Sequence, residues 1–260
     1  MAMYSKEELL QGLQTRVIGK KIFVFETIDS TNACARTLGD AGGDEGELVI
    51  AEFQTSGRGR LGRSWIAEEH TSLLFSILLR PQVQAEMAGL LTLFASAAVA
   101  RAIERIAASR VECKWPNDLL LGGKKFCGIL LENSLQQTAL RYSIVGIGIN
   151  VNQQTFSPEI ADRATSLALH TGGMVDRKAV LQSVLREMDE MYPAIREGDF
   201  DFVVKEWTDR CTMFGKHVKV LQHDHVIEGK ALRLHQDAGL VLSTPDGPVT
   251  VYAGDVTIIS

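Results

Sequence analysis

The chain has 260 residues, 45% hydrophobic and 23% charged, the balance of a folded globular protein of one large domain, or one large and one small. Its formal net charge of −5 excludes a general DNA- or RNA-binding surface, which needs a basic field, yet leaves room for a local basic pocket. Four scattered cysteines (Cys34, Cys113, Cys127, Cys211) form no CxxC and no Cys/His zinc spacing, which predicts reduced structural thiols and a cytoplasmic protein.

The N-terminal stretch has no charged-then-apolar leader, and SKEELLQGLQ (5–14) predicts a helix with Ser5 as N-cap and Glu8 three residues on. IFVFETI (22–28) and GELVIAEFQ (46–54) predict strands, with Ser30-Thr31-Asn32 and a helical ACARTLGD stretch between them. TSLLFSILLR (71–80) is an unbroken apolar run, the signature of a strand buried on both faces. Residues 87–108 carry apolar side chains at helical spacing; the most apolar part is interrupted by Arg101 and is shorter than the ~20 residues of a membrane span, so no membrane segment is predicted. VECKWPNDLLL (111–121) predicts strand broken by a Pro-Asn-Asp turn, GGKK a hairpin, and FCGILLENS and LRYSIVGIGINVN two further strands. Residues 176–198 predict an amphipathic helix stopped by Gly198, and DFDFVVKEWTDR another. From Gly215 the segments are short, strand-like and turn-separated, predicting a small all-β barrel with a boundary near Thr212: residues 1–211, then 212–260. At that size the barrel needs the larger domain for stability. His223 and His225 share a strand face, better suited to a solvated edge pair than to a metal site.

Four stretches carry chemistry. TSGRGRLGRSW (55–65) alternates Gly57, Gly59 and Gly62 with Arg58, Arg60 and Arg63 directly after a strand. Glycine admits a ligand to main-chain N–H groups, and arginine supplies planar forks for carboxylate or phosphate oxygens, so the loop suits an anion with several oxygens. It is not GxxxxGK[ST]; GRGRLG matches GxGxxG by letter, but SWIAEEHTS is a poor helix and the dinucleotide fingerprint needs one there. KWPNDLLL sets an amide, Asn117, beside a carboxylate, Asp118; next to polyphosphate such a carboxylate serves Mg²⁺, a ribose or a lysine, and otherwise the pair is an Asx turn. KKFCGILLE places Lys124 and Lys125 at a hairpin, where one lysine reaches a pocket or both are solvated. In GIGINVN, Gly146 and Gly148 imply close approach of another group, and Asn150 and Asn152 set amides at the strand end, or the segment is a bulge with an Asn turn.

In order and spacing, STN, Q-x-x-GRGRxGR-x-W, KWPND, K-x-x-GIL, GIGINVN and ATSL resemble the biotin protein ligases, also called biotin–[acetyl-CoA-carboxylase] ligases, over residues 20–260. The resemblance implies an α+β fold: a mixed β-sheet with flanking helices, similar to class II aminoacyl-tRNA synthetases, plus a C-terminal SH3-like barrel. It implies that biotin's carboxylate attacks the α-phosphate of ATP, with Mg²⁺, giving biotinyl-5′-AMP; a lysine of the biotin carboxyl carrier protein then takes the biotinyl group. By the same resemblance Ser30, Thr31, Asn32 and Gln54 hold biotin's ring, while Gly57, Arg58 and Arg60 meet its carboxylate and the adenylate phosphate. Arg63, Trp65, Asn117, Asp118 and Asn150 fall on the nucleotide side, with Asp118 the metal candidate. Lys125, in register with K-x-x-G-I-L, is the active-site lysine with Arg60, and Lys124 is out of register. Gly128, Gly146 and Gly148 are small residues against the ligand.

Bifunctional members of that family place a winged helix-turn-helix before the catalytic domain, and only about 20 residues precede the first strand here. The expectation is a monofunctional ligase without sequence-specific DNA or membrane binding, with a homodimer the preferred assembly. The rivals are a lipoate or octanoate ligase of similar fold, a biotin-responsive regulator, and an inactive biotin-binding module.

Overall fold

The structure, a computed structural model, describes residues 4–137, 139–222 and 225–259. Helix α1 (Lys6–Leu10) has the predicted capping box: Ser5 Oγ accepts from Glu8 N–H, and the Glu8 carboxylate accepts from Ser5 N–H. It ends at Leu10, short of the predicted residue 14, because Gln11 turns extended and Gly12 takes φ 81°.

Seven strands form one mixed sheet: β1 (Ile22–Ile28), β2 (Leu48–Gln54), β3 (Ser72–Leu79), β4 (Glu112–Lys114), β5 (Asp118–Leu121), β6 (Lys124–Gln136) and β7 (Ala139–Asn150). The order is β1-β2-β3-β7-β6-β5-β4. The β1–β2 pair is parallel and crosses over through helix α2 (Thr31–Asp40); the remaining pairs are antiparallel.

β3 explains its unbroken apolar run by being covered on both faces. Leu73, Phe75, Ile77 and Leu79 join the main core, while Leu78 packs with Val49, Ala35, Tyr142 and Ile144 in a smaller core that includes α2. The main core also takes in helices α3 (Leu90–Ala107), α5 (Arg177–Arg196) and α6 (Asp201–Arg210). The expectation that the apolar stretch is too short for a membrane needs correcting: with the 3₁₀ turn before α3, Ala85–Ala107 is 23 residues, long and apolar enough to cross one. Burial accounts for that composition, since 72% of its most apolar window lies inside the protein. Asp176 caps α5 by accepting from Lys178 and Ala179 N–H, and Gly198 at φ 80° follows its end, as the sequence predicts.

A short helix α4 (Leu167–Thr171) lies between β7 and α5. The C-terminal strands β8 (His217–Gln222), β9 (His225–Leu234), β10 (Leu240–Thr244), β11 (Gly247–Val251) and β12 (Asp255–Ile258) form a five-stranded antiparallel sheet, order β11-β10-β9-β8-β12, consistent with the expected SH3-like unit. It leans on the larger part: Trp115 Nε1 donates to the Ala238 carbonyl at 2.9 Å. His223, half of the anticipated histidine pair, lies outside the described residues.

Candidate active site

One cleft gathers the chemistry, and its floor is the β6–β7 pair. Gly128 sits opposite Gly148, and Leu130 opposite Gly146. A methyl group at Gly148 would lie 2.5 Å from Trp65 Cε2, one at Gly128 2.8 Å from Trp65 Cζ3, and one at Gly146 2.0 Å from Asn32 Oδ1. The glycines are there because an indole and an amide lie directly on the strands.

The start of α2 forms one wall. Ser30 is the N-cap and accepts from Ala33 N–H at 3.4 Å. Gln54 Oε1, at the end of β2, accepts from Thr31 N–H and Oγ1 at 2.7 and 3.1 Å. Ser76, fully buried on β3, lies 2.8 Å from Thr31 Oγ1 and donates to Asn32 Oδ1 at 2.6 Å. Asn32 Nδ2 in turn donates to Glu132 at 2.8 Å, and Arg36 holds the other Glu132 oxygen at 3.2 Å. These bonds fix Thr31, Asn32 and Gln54 before any ligand arrives, a neutral wall of donors and acceptors.

The Gly–Arg segment is a folded loop. Trp65 N–H donates to Gly57 O at 3.0 Å and Gly59 N–H to Arg63 O at 2.7 Å, with Leu61 (φ 55°) and Gly62 (φ 73°) turning the tip. Residues 64–70 are not helical, which removes the dinucleotide reading of GRGRLG. The loop closes back so that Trp65 reaches the floor while Arg58, Arg60 and Arg63 line the cleft. Gly57 lines instead an adjoining opening bounded by residues 55–64, Leu130 and Glu132, and is packed so closely that a methyl there would lie 2.5 Å from Trp65 O.

KWPND builds the opposite wall. The Trp115–Pro116 peptide is cis. Asn117 Nδ2 donates to Ile129 O at 2.6 Å, and Ile129 N–H returns a bond to Asn117 O at 3.0 Å, stitching the turn to β6. Arg60 Nη1 reaches Asn117 Oδ1 at 3.4 Å. Lys125 pairs with Asp118 at 2.5 Å and stands 5.5 Å from the Trp65 ring centroid, while Lys124 is exposed. Of the two lysines, the one in register with K-x-x-G-I-L lines the cleft. The Lys125 backbone is held by Arg163 O and Thr165 N–H at 2.8 and 2.9 Å. Burial pushes the Arg60 guanidinium pKa down, opposed by Asp118 and reinforced by Arg63. Burial likewise lowers Lys114, against the pull of Asp118 and with the push of Lys125 and Arg163.

Most of the predicted residues meet here: Ser30, Thr31, Asn32, Gln54, Arg58, Arg60, Arg63, Trp65, Asn117, Asp118, Lys125, Gly128, Gly146 and Gly148 all line the cleft. Asn150 does not. It is buried at the end of β7, where its Nδ2 donates to Thr165 O at 3.1 Å, so its amide shapes the 163–167 segment rather than facing the cleft. Sequence reasoning missed Asp255, which reaches the rim from β12 and receives both Arg63 η nitrogens. No local motif marks it; only the fold brings residue 255 to residue 63. The enclosed volume is about 130 Å³, small because Trp65 fills part of the space above Gly128 and Gly148. The lining suits a ligand that combines a neutral hydrogen-bonding group, an apolar part beside Trp65 and an anionic group for Arg58, Arg60, Arg63 and Lys125.

Known proteins share this design. A family model described as the biotin/lipoate A/B protein ligase family matches residues 24–150. The bifunctional ligase/repressor BirA of Bacillus spizizenii is 35% identical over 256 residues, 98% of this chain and 79% of that protein. The biotin–[acetyl-CoA-carboxylase] ligase of Mycobacterium tuberculosis is 30% identical over 258 residues, 95% of this chain and 94% of that one. The structure of the Aquifex aeolicus biotin protein ligase in complex with biotin and ATP superposes with TM-score 0.76 at 35% identity, covering 92% of this chain and 98% of that chain. Similarity at this level over more than nine tenths of the chain, to proteins of the kind whose ordered motifs line the cleft, settles the relationship: the chain belongs to the biotin protein ligase family.

Proposed function

We propose that this protein activates biotin with ATP to biotinyl-5′-AMP and transfers the biotinyl group to a lysine of a biotin carboxyl carrier protein. The observation that carries this is the meeting in one cleft of Arg58, Arg60, Arg63 and Lys125 with the neutral donors and acceptors of Ser30, Thr31 and Gln54. The first step brings a carboxylate against a triphosphate, and like charges must be screened before a bond forms. A carboxylate oxygen attacks the α-phosphorus, the P–O bond to the β-phosphate breaks, and pyrophosphate leaves. In the second step the neutral lysine amine attacks the acyl carbon, AMP leaves with the bonding pair, and the amine loses a proton.

In this assignment Lys125 and Arg60 stabilise charge building on the α-phosphate, and Arg58 meets biotin's carboxylate. Ser30, Thr31, Asn32 and Gln54 read the ureido ring, with Gln54 Oε1 already accepting from Thr31. Arg63, Trp65 and Asn117 serve the nucleotide. Asp118 fits Mg²⁺ as one protein carboxylate among substrate phosphates, the usual mode for this ion, and no group of three His, Cys, Asp or Glu among the described residues offers a complete cage. Mg²⁺ bound there would supply charge neutralisation to the phosphates. Four free cysteines support a cytoplasmic setting. The repressor half of some relatives' names draws no support from a chain of net charge −5.

Pyrophosphate release with ATP and biotin, lipoate or octanoate in parallel tests the assignment. Biotin-dependent release supports it; release with lipoate or octanoate alone overturns it.

A further inference from the structure

The backbone ladder between β2 and β3 ends at the Ala51–Leu74 pair. The two stems then part to carry the Gly–Arg loop, and beyond that pair side chains tie them. Glu52 and Arg177, 6% and 1% exposed in their side chains, form a two-point ion pair at 2.6 and 3.3 Å. Arg177 Nη1 also donates to Ser72 O, on the far stem, at 3.0 Å. His70, near the loop's end, brings Nδ1 to 3.2 Å from Glu52 Oε2. It does so at φ 60°, a left-handed conformation that costs any residue with a Cβ. The Tyr4 ring covers the Arg177 guanidinium at 5.0 Å. Asn152 N–H donates to Thr71 O at 2.7 Å and Thr155 Oγ1 to Glu68 at 2.8 Å, extending the tie to the segment after β7.

We propose that Glu52, Arg177 and His70 are positioning residues that staple the loop stems and so set how long the closed loop retains the acyl-adenylate. The inference rests on the ligase assignment above. None of the three lines the cleft, so they act through the loop. A buried ion pair is a weak stability device, often replaceable by apolar groups at no cost, and its effect here is conformational: it holds two diverging strands at one separation. Arg58, Arg60 and Trp65 ride on the loop between those stems. With the stems pinned, the loop has one closed position; with them slack, it opens more often while the chemistry inside a closed loop stays the same.

The test uses the full chain with two variants: E52M/R177M, which replaces the ion pair by apolar side chains, and His70→Gly, which removes the imidazole and relieves its φ. Three quantities are read: escape of preformed biotinyl-adenylate, the single-turnover rate of its formation at saturating substrates, and the melting temperature. Escape is expected to rise about tenfold in the double variant, the factor of a charged hydrogen bond, and by less, about threefold, in His70→Gly, which loses one polar contact to Glu52. Formation is expected to change less than about twofold, and His70→Gly to melt no lower than the parent. His70→Asn tolerates the left-handed backbone, keeps a polar side chain beside Glu52, and is expected to return escape toward the parent value. Parental escape rates in folded His70→Gly and the folded double variant overturn the staple. A parent protein that makes no adenylate from biotin and ATP overturns instead the ligase assignment beneath it.

Discussion

Gly146→Ala is the substitution whose cost the structure bounds most tightly. The new methyl would lie 2.0 Å from Asn32 Oδ1, 2.8 Å from Cγ and 3.1 Å from Nδ2. Asn32 has nowhere to go: it is 4% exposed, with Ser76 donating to its oxygen at 2.6 Å and its nitrogen donating to Glu132 at 2.8 Å. If Asn32 stays, β7 is pushed off its place, and overpacking of this kind costs about 1–3 kcal/mol. If it leaves, one neutral hydrogen bond of about 1 kcal/mol and one charged bond of about 1.5–3 kcal/mol go with it. The two routes together bracket a loss of about 1–4 kcal/mol, read as a lower urea midpoint at unchanged slope. Since Thr31 and Asn32 line the cleft, biotin affinity is expected to fall at least about tenfold. Gly148→Ala is the control. Its methyl meets Trp65, a side chain on the loop that can move, so stability changes by less than about 1 kcal/mol. A Gly146→Ala protein within about 0.5 kcal/mol of the parent, with parental biotin affinity, would refute the claim that Asn32 is fixed against β7.

Lys125→Ala is expected to slow adenylate formation about a thousandfold, while Lys124→Ala, exposed at the hairpin, stays within about threefold; stopped-flow pyrophosphate release distinguishes them, and equal losses would misplace the lysine. Arg60→Gly removes a part-buried fork from the cleft and is expected to let biotinyl-adenylate escape, so that bystander proteins become biotinylated on streptavidin blots; labelling at the parental level contradicts that role. Amide exchange across residues 56–65 is expected to slow on adding biotin, as Trp65 and the arginines close on ligand, and unchanged protection counts against closure. Hydrogen bonding from Arg101, then Arg210, holds the Glu206 carboxyl down from 4.5 to about 2. A depressed carboxylate contributes fully above its unfolded value and loses that contribution as pH falls through the folded one. Stability is therefore expected to drop between pH 4.5 and about 2, and Glu206→Gln to flatten that part of the acid-unfolding curve.

Much of this was legible in the chain because the signals were local. The apolar run of β3, the capping box at Ser5 and the stop at Gly198 each declare their structure within a few residues. The cleft was legible for a different reason: its residues sit in short motifs at the ends of strands, and strand ends of one sheet meet. The glycines at 128, 146 and 148 signalled close approach, but the partners, Trp65 and Asn32, come from distant elements that no spacing reveals. Asn150 shows the limit within a motif, since its neighbour Gly148 faces the cleft while its own amide is spent on Thr165. Asp255 and the Glu52–Arg177–His70 staple had no local mark at all. A lone carboxylate after a glycine, or a glutamate inside a strand, acquires meaning only when folding brings a charge from far along the chain.

The most direct test is a mass measurement on the acceptor. The protein is incubated with biotin, ATP, Mg²⁺ and a biotin carboxyl carrier domain, and the carrier is analysed intact and after digestion. Biotin protein ligase activity predicts one biotinyl group on one lysine of the carrier, dependent on ATP and abolished with Lys125→Ala. A carrier that stays unmodified with biotin, while a lipoyl-accepting domain gains lipoate under the same conditions, contradicts it.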